Sequence, residues 1–307
     1  MLLRSYVFPY SQCSNVKLKR VAFMQLNLWS VQNDLLPTCG LSMKRPTLRW
    51  HGGKYLLADW IISYFPQHRV YVEPFGGAGS VLMKKPRCYA EIYNDLSDDL
   101  FNFFRVLRDR PFELKGALEL TPFSRREFEL AHSNHPDPIE KARRLVVRSF
   151  MGFGSDSACD PTRSSGFRAN CNRSGSTPAH DWVNYPSVIE DFYKRLQGVV
   201  IESRDALEVM TAHDSPTTLH YVDPPYVPET RKRVGAYKHE LTHDDHVRLL
   251  AHLKGLKGDV ILSGYDNELY RDELINWERV EKKTLADGAR PRLEVLWIKR
   301  QQLEFEA

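Results

Sequence analysis

The chain has few cysteines, five among 307 residues, and they show no close pairing. They are Cys13, Cys39, Cys88, Cys159 and Cys171. The spacing of Cys159, Cys171 and His180 matches no common zinc site. The sequence therefore predicts free thiols in a reducing cytoplasm and no bound metal.

Long apolar runs are also absent, since no stretch reaches the ~20 apolar residues that span a bilayer. Val21–Trp29 follows basic residues as in a signal peptide, but Gln25 and Asn27 interrupt it and no convincing cleavage site follows. We expect no membrane association. Residues 1–42 are expected to be a disordered extension, or not native if translation starts at Met43.

The most informative segment is Asp223-Pro224-Pro225-Tyr226, which follows an apolar run, Leu219–Val222, that predicts a buried strand. Open α/β sheets bind ligands at the carboxyl ends of their strands. There Tyr226 can stack on a flat ring, and Asp223 and the Pro224 carbonyl can accept hydrogen bonds from an exocyclic amine. The alternative is an ordinary tight turn after a strand.

A glycine-rich turn follows another predicted strand, Arg69–Glu73. Its candidate ligand-binding residues are Glu73, Phe75, Gly76, Gly77 and Gly79. Glycine permits positive φ and close approach of the backbone to a ligand. A dinucleotide-binding loop needs glycine at its first, third and sixth positions. Those positions are not all glycine here, which argues against a dehydrogenase.

Two further segments support a ligand site. Asp95 follows a predicted strand, Cys88–Tyr93, where a carboxylate can hold ribose hydroxyls. Trp50 and Lys54 flank a Gly-Gly pair before a predicted amphipathic helix that Pro66 ends. A lysine there suits an anionic group and Trp50 can cover a ligand face, although a plain helix entry explains the same residues.

Together and in this order, these motifs resemble the Dam-like family of DNA adenine N6-methyltransferases, and more closely its phage and prophage branch. The resemblance spans about residues 43–302. It implies a bacterial or phage-encoded, class I enzyme that uses S-adenosylmethionine. The Glu73–Gly79 loop would face the methionine half of this cofactor, Lys54 its carboxylate and Asp95 its ribose. Asp205 would accept from the cofactor's adenine amine, unless it only caps a helix.

The chemistry that the resemblance implies needs no metal, because the sulfonium methyl is a good electrophile. The lone pair of the adenine amine is delocalised, and hydrogen bonds to Asp223 and the Pro224 carbonyl would direct it towards the methyl group. The base must leave the duplex, at a cost of a few kcal/mol. Stacking on Tyr226 returns about 1–3 kcal/mol.

Basic residues are concentrated rather than abundant, since the net charge of the chain is only +4. Between Lys141 and His180, seven lysines and arginines outnumber two aspartates, and a second basic run follows the Asp-Pro-Pro-Tyr segment. Beside these motifs, they predict contacts with DNA phosphates, although a solvated basic face has the same composition. The candidate residues are Arg144, Arg148, Arg163, Arg168, Arg173, Arg231 and Lys232.

The predicted fold is α/β, a doubly wound mixed sheet of the Rossmann-like methyltransferase type with a helical insert. Residues 43–112 and 199–307 alternate strand and helix and form the predicted catalytic domain. Residues 113–198 lack strand periodicity and lie where the family carries its target-recognition domain. We expect a monomer.

Other functions remain open at this point. A cytosine N4-methyltransferase or an RNA adenine methyltransferase would use the same amine chemistry. A protein-glutamine methyltransferase typically has asparagine where this chain has Asp223. An inactive DNA-binding relic is disfavoured because Lys54, Glu73, Asp95 and the Asp-Pro-Pro-Tyr segment are intact.

Overall fold

The computed structural model describes residues 43–154, 156–162, 165–170, 175–227, 240–286 and 290–301. The extension predicted for residues 1–42 lies outside the described residues.

The described chain forms a seven-stranded sheet with the strand order β3-β2-β1-β4-β5-β7-β6. The strands are β1 (Val70–Glu73), β2 (Ala90–Asn94), β3 (Val199–Glu202), β4 (Thr218–Val222), β5 (Asp259–Tyr265), β6 (Glu278–Ala286) and β7 (Arg290–Lys299). The first five strands pair in parallel, whereas β7 is antiparallel to β5 and to β6. The prediction of a doubly wound mixed sheet is confirmed.

Helices connect the strands along the chain. They are α1 (Ala58–Ile62), α2 (Ser80–Lys84), α3 (Asp98–Asp109), α4 (Pro111–Glu119), α5 (Arg125–Leu130), α6 (Pro138–Met151), α7 (Asp156–Cys159), α8 (Pro178–Val183), α9 (Ile189–Leu196), α10 (Ala206–Ala212), α11 (His243–Gly255) and α12 (Glu268–Glu273), with a short 3-10 helix at Pro186–Val188.

The central strands are buried on both faces because their side chains alternate between two apolar cores. In β1, Tyr71 packs in the core that contains Tyr93 and Phe104, whereas Val72 packs in the core that contains Ile92. All five residues of β4 are buried. A strand covered on both faces needs an almost continuous apolar run, which is why its sequence could be recognised.

Local sequence signals account for several helix boundaries. Thr242 and Asp245 form a capping box at the start of α11. The amphipathic helix predicted before Pro66 is shorter than its apolar spacing indicated, since α1 ends at Ile62. Beyond Ile62 the chain continues in turns, with Tyr64 N–H donating to the Ile61 carbonyl.

The segment between β2 and β3 is helical, and its centre is α6, which packs against α3, α4 and α5. Among the described residues of 113–198, we find no strand, only an isolated bridge between Gly152 and Phe167. This agrees with the predicted absence of strand periodicity. The division into catalytic and target-recognition domains stays a prediction.

The topology determines where a site can form. Strands β1, β2, β4 and β5 are parallel, so their carboxyl ends meet at one edge of the sheet. The antiparallel β7 brings its amino-terminal half to the same edge, where Glu294 lies opposite Tyr265 of β5.

Candidate active site

An open cleft lies at this edge and joins the predicted motifs. Its empty space is about 1000 Å³ when the part open to solvent is included, which is the scale of small-molecule sites. Its walls include the glycine turn after β1, the end of β2 and the Asp-Pro-Pro segment after β4. Predicted residues on the walls are Trp50, Lys54, Glu73, Phe75, Gly76, Gly77, Asp95, Asp223 and Pro224.

Asp223 lies in this cleft, and its two carboxylate oxygens differ in their contacts. Its Oδ2 atom is 2.8 Å from Lys54 Nζ. Oδ1 is buried and has no hydrogen-bond partner in the described part of the chain, although the nearby Ser263 and Tyr226 hydroxyls help to lower the pKa of this carboxyl group. Burial outweighs these groups and Lys54, and the net effect is a raised pKa. An unpaired buried acceptor is costly, so this oxygen is suited to a ligand donor.

Lys54 is buried, with 5% of its surface exposed. Besides Asp223, its ammonium donates to the Gly52 carbonyl at 2.8 Å. Burial alone would lower the pKa of Lys54, but Asp223 and Glu294 reverse this and raise it. Lys54 is therefore a fixed cation, and in this structure its partner is Asp223.

Tyr226 is held against the neighbouring strands and is 6% exposed. Its hydroxyl donates to Glu294 Oε2 at 2.8 Å, and its ring meets the edge of Tyr265 with centroids 4.4 Å apart. Lys54 Nζ lies 4.8 Å from the ring centroid. The ring is thus adjacent to the Asp223–Lys54 pair but is not part of the cleft wall.

The glycine turn contains positions that only glycine can occupy without strain. Gly77 and Gly79 have positive φ angles of 51° and 63°. A Cβ atom on Gly76 would lie 2.2 Å from the Tyr93 ring. The Tyr93 hydroxyl donates to the Gly77 carbonyl at 2.6 Å. Tyr93 therefore packs against the glycine turn and also holds it by a hydrogen bond.

Glu73 is almost fully buried at the end of β1. Its Oε2 accepts from the Tyr71 hydroxyl at 2.8 Å and from the Leu82 N–H at 3.0 Å. Burial raises the pKa of Glu73 to about 8, because it outweighs the hydrogen bond from Tyr71, and the charge of Asp223 adds to the rise. Glu73 forms part of the cleft wall. Its carboxyl group changes between the protonated and the ionised form near pH 8.

Asp95 connects the end of β2 to the glycine turn. Its Oδ2 accepts from the Gly77 N–H at 2.9 Å, and its Oδ1 accepts from the Ser97 N–H at 2.8 Å. Asp95 lies on the cleft wall, and its contact with a ligand hydroxyl stays a prediction.

Asp205 has the geometry of a helix cap. It is the N-cap of α10, and its Oδ1 accepts from Leu207 N–H and Glu208 N–H. Its neighbour Ala206, rather than Asp205, belongs to the cleft wall. The capping alternative therefore describes this structure, and contact with a cofactor remains a prediction.

Sequence reasoning missed several residues of the site. Ser80 and Cys159 line the cleft, and the Ser80 hydroxyl is buried without a partner among the described residues. Ser80 directly follows the glycine turn and was open to prediction. Cys159 comes from α7 and Glu294 from β7, and no local motif indicates that either lies near Asp223.

Of the basic residues predicted to contact phosphate, the structure describes Arg144, Arg148 and Arg168. Arg148 is 4% exposed and pairs with Asp99 at 3.0 Å, and Arg168 is 8% exposed and donates to the Phe150 carbonyl. Because they are buried, neither is placed for phosphate contact in this structure, and we remove both from the proposed DNA contacts. Arg144 pairs with Glu140 at 2.7 Å and also bonds to Ser133. Arg163, Arg173, Arg231 and Lys232 lie outside the described residues.

Two features are absent from the described residues. No group of three or more histidine, cysteine, aspartate or glutamate side chains is arranged to hold a metal ion. No helix in the described ranges is long and apolar enough to cross a membrane.

The doubly wound sheet, the glycine turn after β1 and the Asp-Pro-Pro-Tyr segment after β4 define a class I methyltransferase. The profile of the D12 class N6 adenine-specific DNA methyltransferases matches residues 50–285, and the chain belongs to this family. The protein is therefore an adenine-specific DNA methyltransferase, which confirms the family predicted from the sequence. The family implies S-adenosylmethionine as methyl donor and DNA as substrate.

Relatives agree with this assignment. The chain is 24% identical to a DNA adenine methylase of Vibrio cholerae over 81% of this chain and 93% of the relative. It is 25% identical to the DNA adenine methylase of Escherichia coli K12 over 76% of this chain and 84% of the relative. It is also 26% identical to a type II methyltransferase of Lactococcus lactis subsp. cremoris, over 80% of this chain and 90% of the relative.

Proposed function

We propose that the protein holds S-adenosylmethionine in the cleft and methylates the N6 amine of an adenine that has left the DNA helix. The observation that carries this proposal is the position of Asp223. Asp223 lines the same cleft as the glycine turn, and its buried Oδ1 has no hydrogen-bond partner among the described residues. An acceptor for an amine and a cradle for a methyl donor therefore share one space.

The residues of the cleft fit the proposed cofactor. Gly77 and Gly79, with their positive φ angles, let the backbone approach a ligand closely where a side chain would block it. When ionised, Glu73 supplies negative charge for a cationic amino acid group, and Ser80 supplies a hydroxyl that has no partner among the described residues. Asp95 would bond the ribose and Trp50 would cover a face of the ligand, while Phe75 adds apolar surface.

Lys54 would contact the carboxylate of the bound cofactor. In the structure its ammonium is bonded to Asp223 instead, so contact with the cofactor would require a shared or exchanged ion pair. Such an exchange would leave Asp223 with two oxygens for the target amine. Asp205 would accept from the cofactor's adenine only with the oxygen that does not cap α10.

When bound, the cofactor supplies an electrophilic methyl group on a sulfonium. Asp223 and the Pro224 carbonyl would accept the two N–H bonds of the adenine amine and orient its lone pair towards that group. Fixed acceptors in a water-excluded site need no reorganisation during the reaction. Asp223 is suited to this because it is largely buried on the cleft wall, and Lys54 holds it there before the ligands bind.

The target base would stack on Tyr226 after it leaves the helix, which returns part of the cost of unpairing. Lys54 covers the Tyr226 ring in the structure. A base that uses this face would displace the ammonium, so entry of the base and rearrangement of Lys54 would be coupled.

DNA binding would use the segment 113–198 as the target-recognition domain. Arg144 and the basic residues outside the described ranges, Arg163, Arg173, Arg231 and Lys232, remain the proposed phosphate contacts. We further propose that the enzyme acts as a monomer in the bacterial cytoplasm, from a phage or prophage gene.

Equilibrium binding followed by a methylation assay tests the proposal. S-adenosylmethionine is titrated into the wild type and the Asp95→Ala variant, and methyl transfer is measured on unmethylated duplex DNA, single-stranded DNA and RNA. We expect saturable binding that Asp95→Ala weakens, and transfer to DNA. Failure of the wild type to bind the cofactor, or transfer to RNA alone, would contradict the proposal.

A further inference from the structure

Glu294 is a buried carboxylate that is not among the residues predicted for the site. It is 6% exposed, and it enters the site because β7 runs antiparallel to the strands that carry the glycine turn and Asp223. Its position opposite Tyr265 places it at the carboxyl ends of β4 and β5.

The contacts of Glu294 are specific. Its Oε2 accepts a 2.8 Å hydrogen bond from the Tyr226 hydroxyl. Burial raises the pKa of Glu294, and the charge of Lys54 and the bond from Tyr226 oppose this rise. A buried carboxylate is costly, and an apolar residue would fill the same space without that cost. The acid therefore does more than pack.

Tyr226 is restrained on three sides as a result. Glu294 holds its hydroxyl, Tyr265 meets its ring edge-on at 72°, and Lys54 lies over its face. The Tyr265 ring is itself covered by the Arg292 guanidinium at 4.9 Å from its centroid. A tyrosine with both ends fixed has one ring orientation.

We propose that Glu294 is a positioning residue for methyl transfer: it fixes the Tyr226 ring so that a stacked adenine presents its amine to Asp223. Because this role rests on the proposed function, it applies only if the base stacks on Tyr226. Glu294 touches neither substrate nor cofactor in this scheme and acts through the phenol. Loss of the bond would allow the ring to turn and would misplace the amine.

Three variants test the bond from both sides. Glu294→Leu removes the acceptor, Glu294→Gln keeps an acceptor without charge, and Tyr226→Phe removes only the donor oxygen. Glu281→Gln is the matched control, because Glu281 is exposed on the neighbouring strand β6 opposite Val295. Each variant is assayed for thermal unfolding, S-adenosylmethionine affinity and single-turnover methylation of unmethylated plasmid DNA.

We expect Glu294→Leu and Tyr226→Phe each to slow single-turnover methylation about tenfold to a hundredfold, the scale of a misplaced reactant. Cofactor affinity should stay within about twofold, since Glu294 does not line the cleft. Glu294→Gln should recover most of the rate. The double variant that combines Glu294→Leu with Tyr226→Phe should be no slower than the slower of these two single variants, because both changes remove the same hydrogen bond.

Two results would overturn the role of Glu294. One is a wild-type rate in folded Glu294→Leu, and the other is a double variant whose losses multiply. If Glu294→Leu does not fold, Tyr226→Phe and Glu294→Gln decide: equal wild-type rates for both would also reject it. A wild type that transfers no methyl group to DNA would instead reject the proposed function.

Discussion

Lys54 Nζ lies 2.8 Å from Asp223 Oδ2, and both side chains are largely buried. The pair joins the segment before α1 to the end of β4, more than a hundred and sixty residues apart in the sequence. Burial raises the pKa of Asp223 and Lys54 opposes that rise. The ammonium therefore helps to keep the proposed amine acceptor ionised.

The pH dependence of methylation should reveal this pair. Asp223 must be ionised to accept from the amine, so activity should fall as the pH drops below its pKa. Lys54→Met removes the opposing charge and should move this acidic limb to higher pH. The measurement is single-turnover methylation across pH at saturating cofactor. Lys257→Met, at an exposed lysine, is the control; an unshifted limb in Lys54→Met would argue against the electrostatic coupling.

Asp223→Ala should abolish most methyl transfer and leave cofactor binding largely intact. We expect the rate to fall about a hundredfold to a thousandfold, the usual effect of removing one oriented electrostatic group. Calorimetric titration with S-adenosylmethionine should still show binding. Near-normal turnover would refute the assignment of Asp223.

Glu73 should make cofactor affinity depend on pH. Its pKa of about 8 means that the carboxyl group is largely protonated at neutral pH and ionises as the pH rises through this value. The new negative charge should favour the positively charged cofactor, by up to about tenfold in affinity for a one-unit pKa shift on binding. Titrations from neutral to alkaline pH would show this increase in the wild type. Glu73→Gln should flatten it, and an equal slope in that variant would count against Glu73.

Gly76→Ala tests whether Tyr93 supports the glycine turn. The new Cβ would overlap the fully buried Tyr93 ring, which also packs against Phe104 at 4.5 Å. We expect a loss of about 1–3 kcal/mol in the free energy of unfolding, together with weaker cofactor binding. Gly116→Ala, inside α4 with open space around it, should instead be neutral or stabilising. Equal stability of both variants in denaturant titrations would contradict the packing argument.

His220 should make stability fall in mild acid. It is fully buried beside Asp214, and burial lowers its pKa to about 4 from 6.5. The unfolded chain therefore binds a proton first, so stability is complete above pH 6.5 and is lost as the pH falls towards 4. The loss in the free energy of unfolding over this pH range is about 3 kcal/mol. The temperature of thermal unfolding should depend less on pH between 6.5 and 4 in His220→Gln than in the wild type. The same dependence on pH in that variant would assign the effect to another group.

The elements that could be predicted from the sequence are those with strong local signals. β4 is mostly apolar and buried along its whole length, and α11 has a capping box at Thr242. The glycine turn and the Asp-Pro-Pro segment could be placed in one site because parallel strands end at the same edge. The family resemblance added the substrate, which no spacing in the chain shows.

Other features depend on contacts that the sequence does not encode locally. Arg148 looks like a surface cation on a helix, but tertiary packing against Asp99 and the Ala131 carbonyl buries it. Glu294 looks like one charged residue in a strand, and only the antiparallel pairing of β7 brings it to Tyr226. Both cases involve partners distant along the chain.

The most direct test of the central claim is to identify the modified base. Unmethylated duplex DNA is incubated with the wild type or Asp223→Ala and methyl-labelled S-adenosylmethionine, then digested to nucleosides and analysed by mass spectrometry. We predict labelled N6-methyladenine with the wild type and almost none with Asp223→Ala. Label on the N4 amine of cytosine, or equal N6-methyladenine from both proteins, would contradict the account.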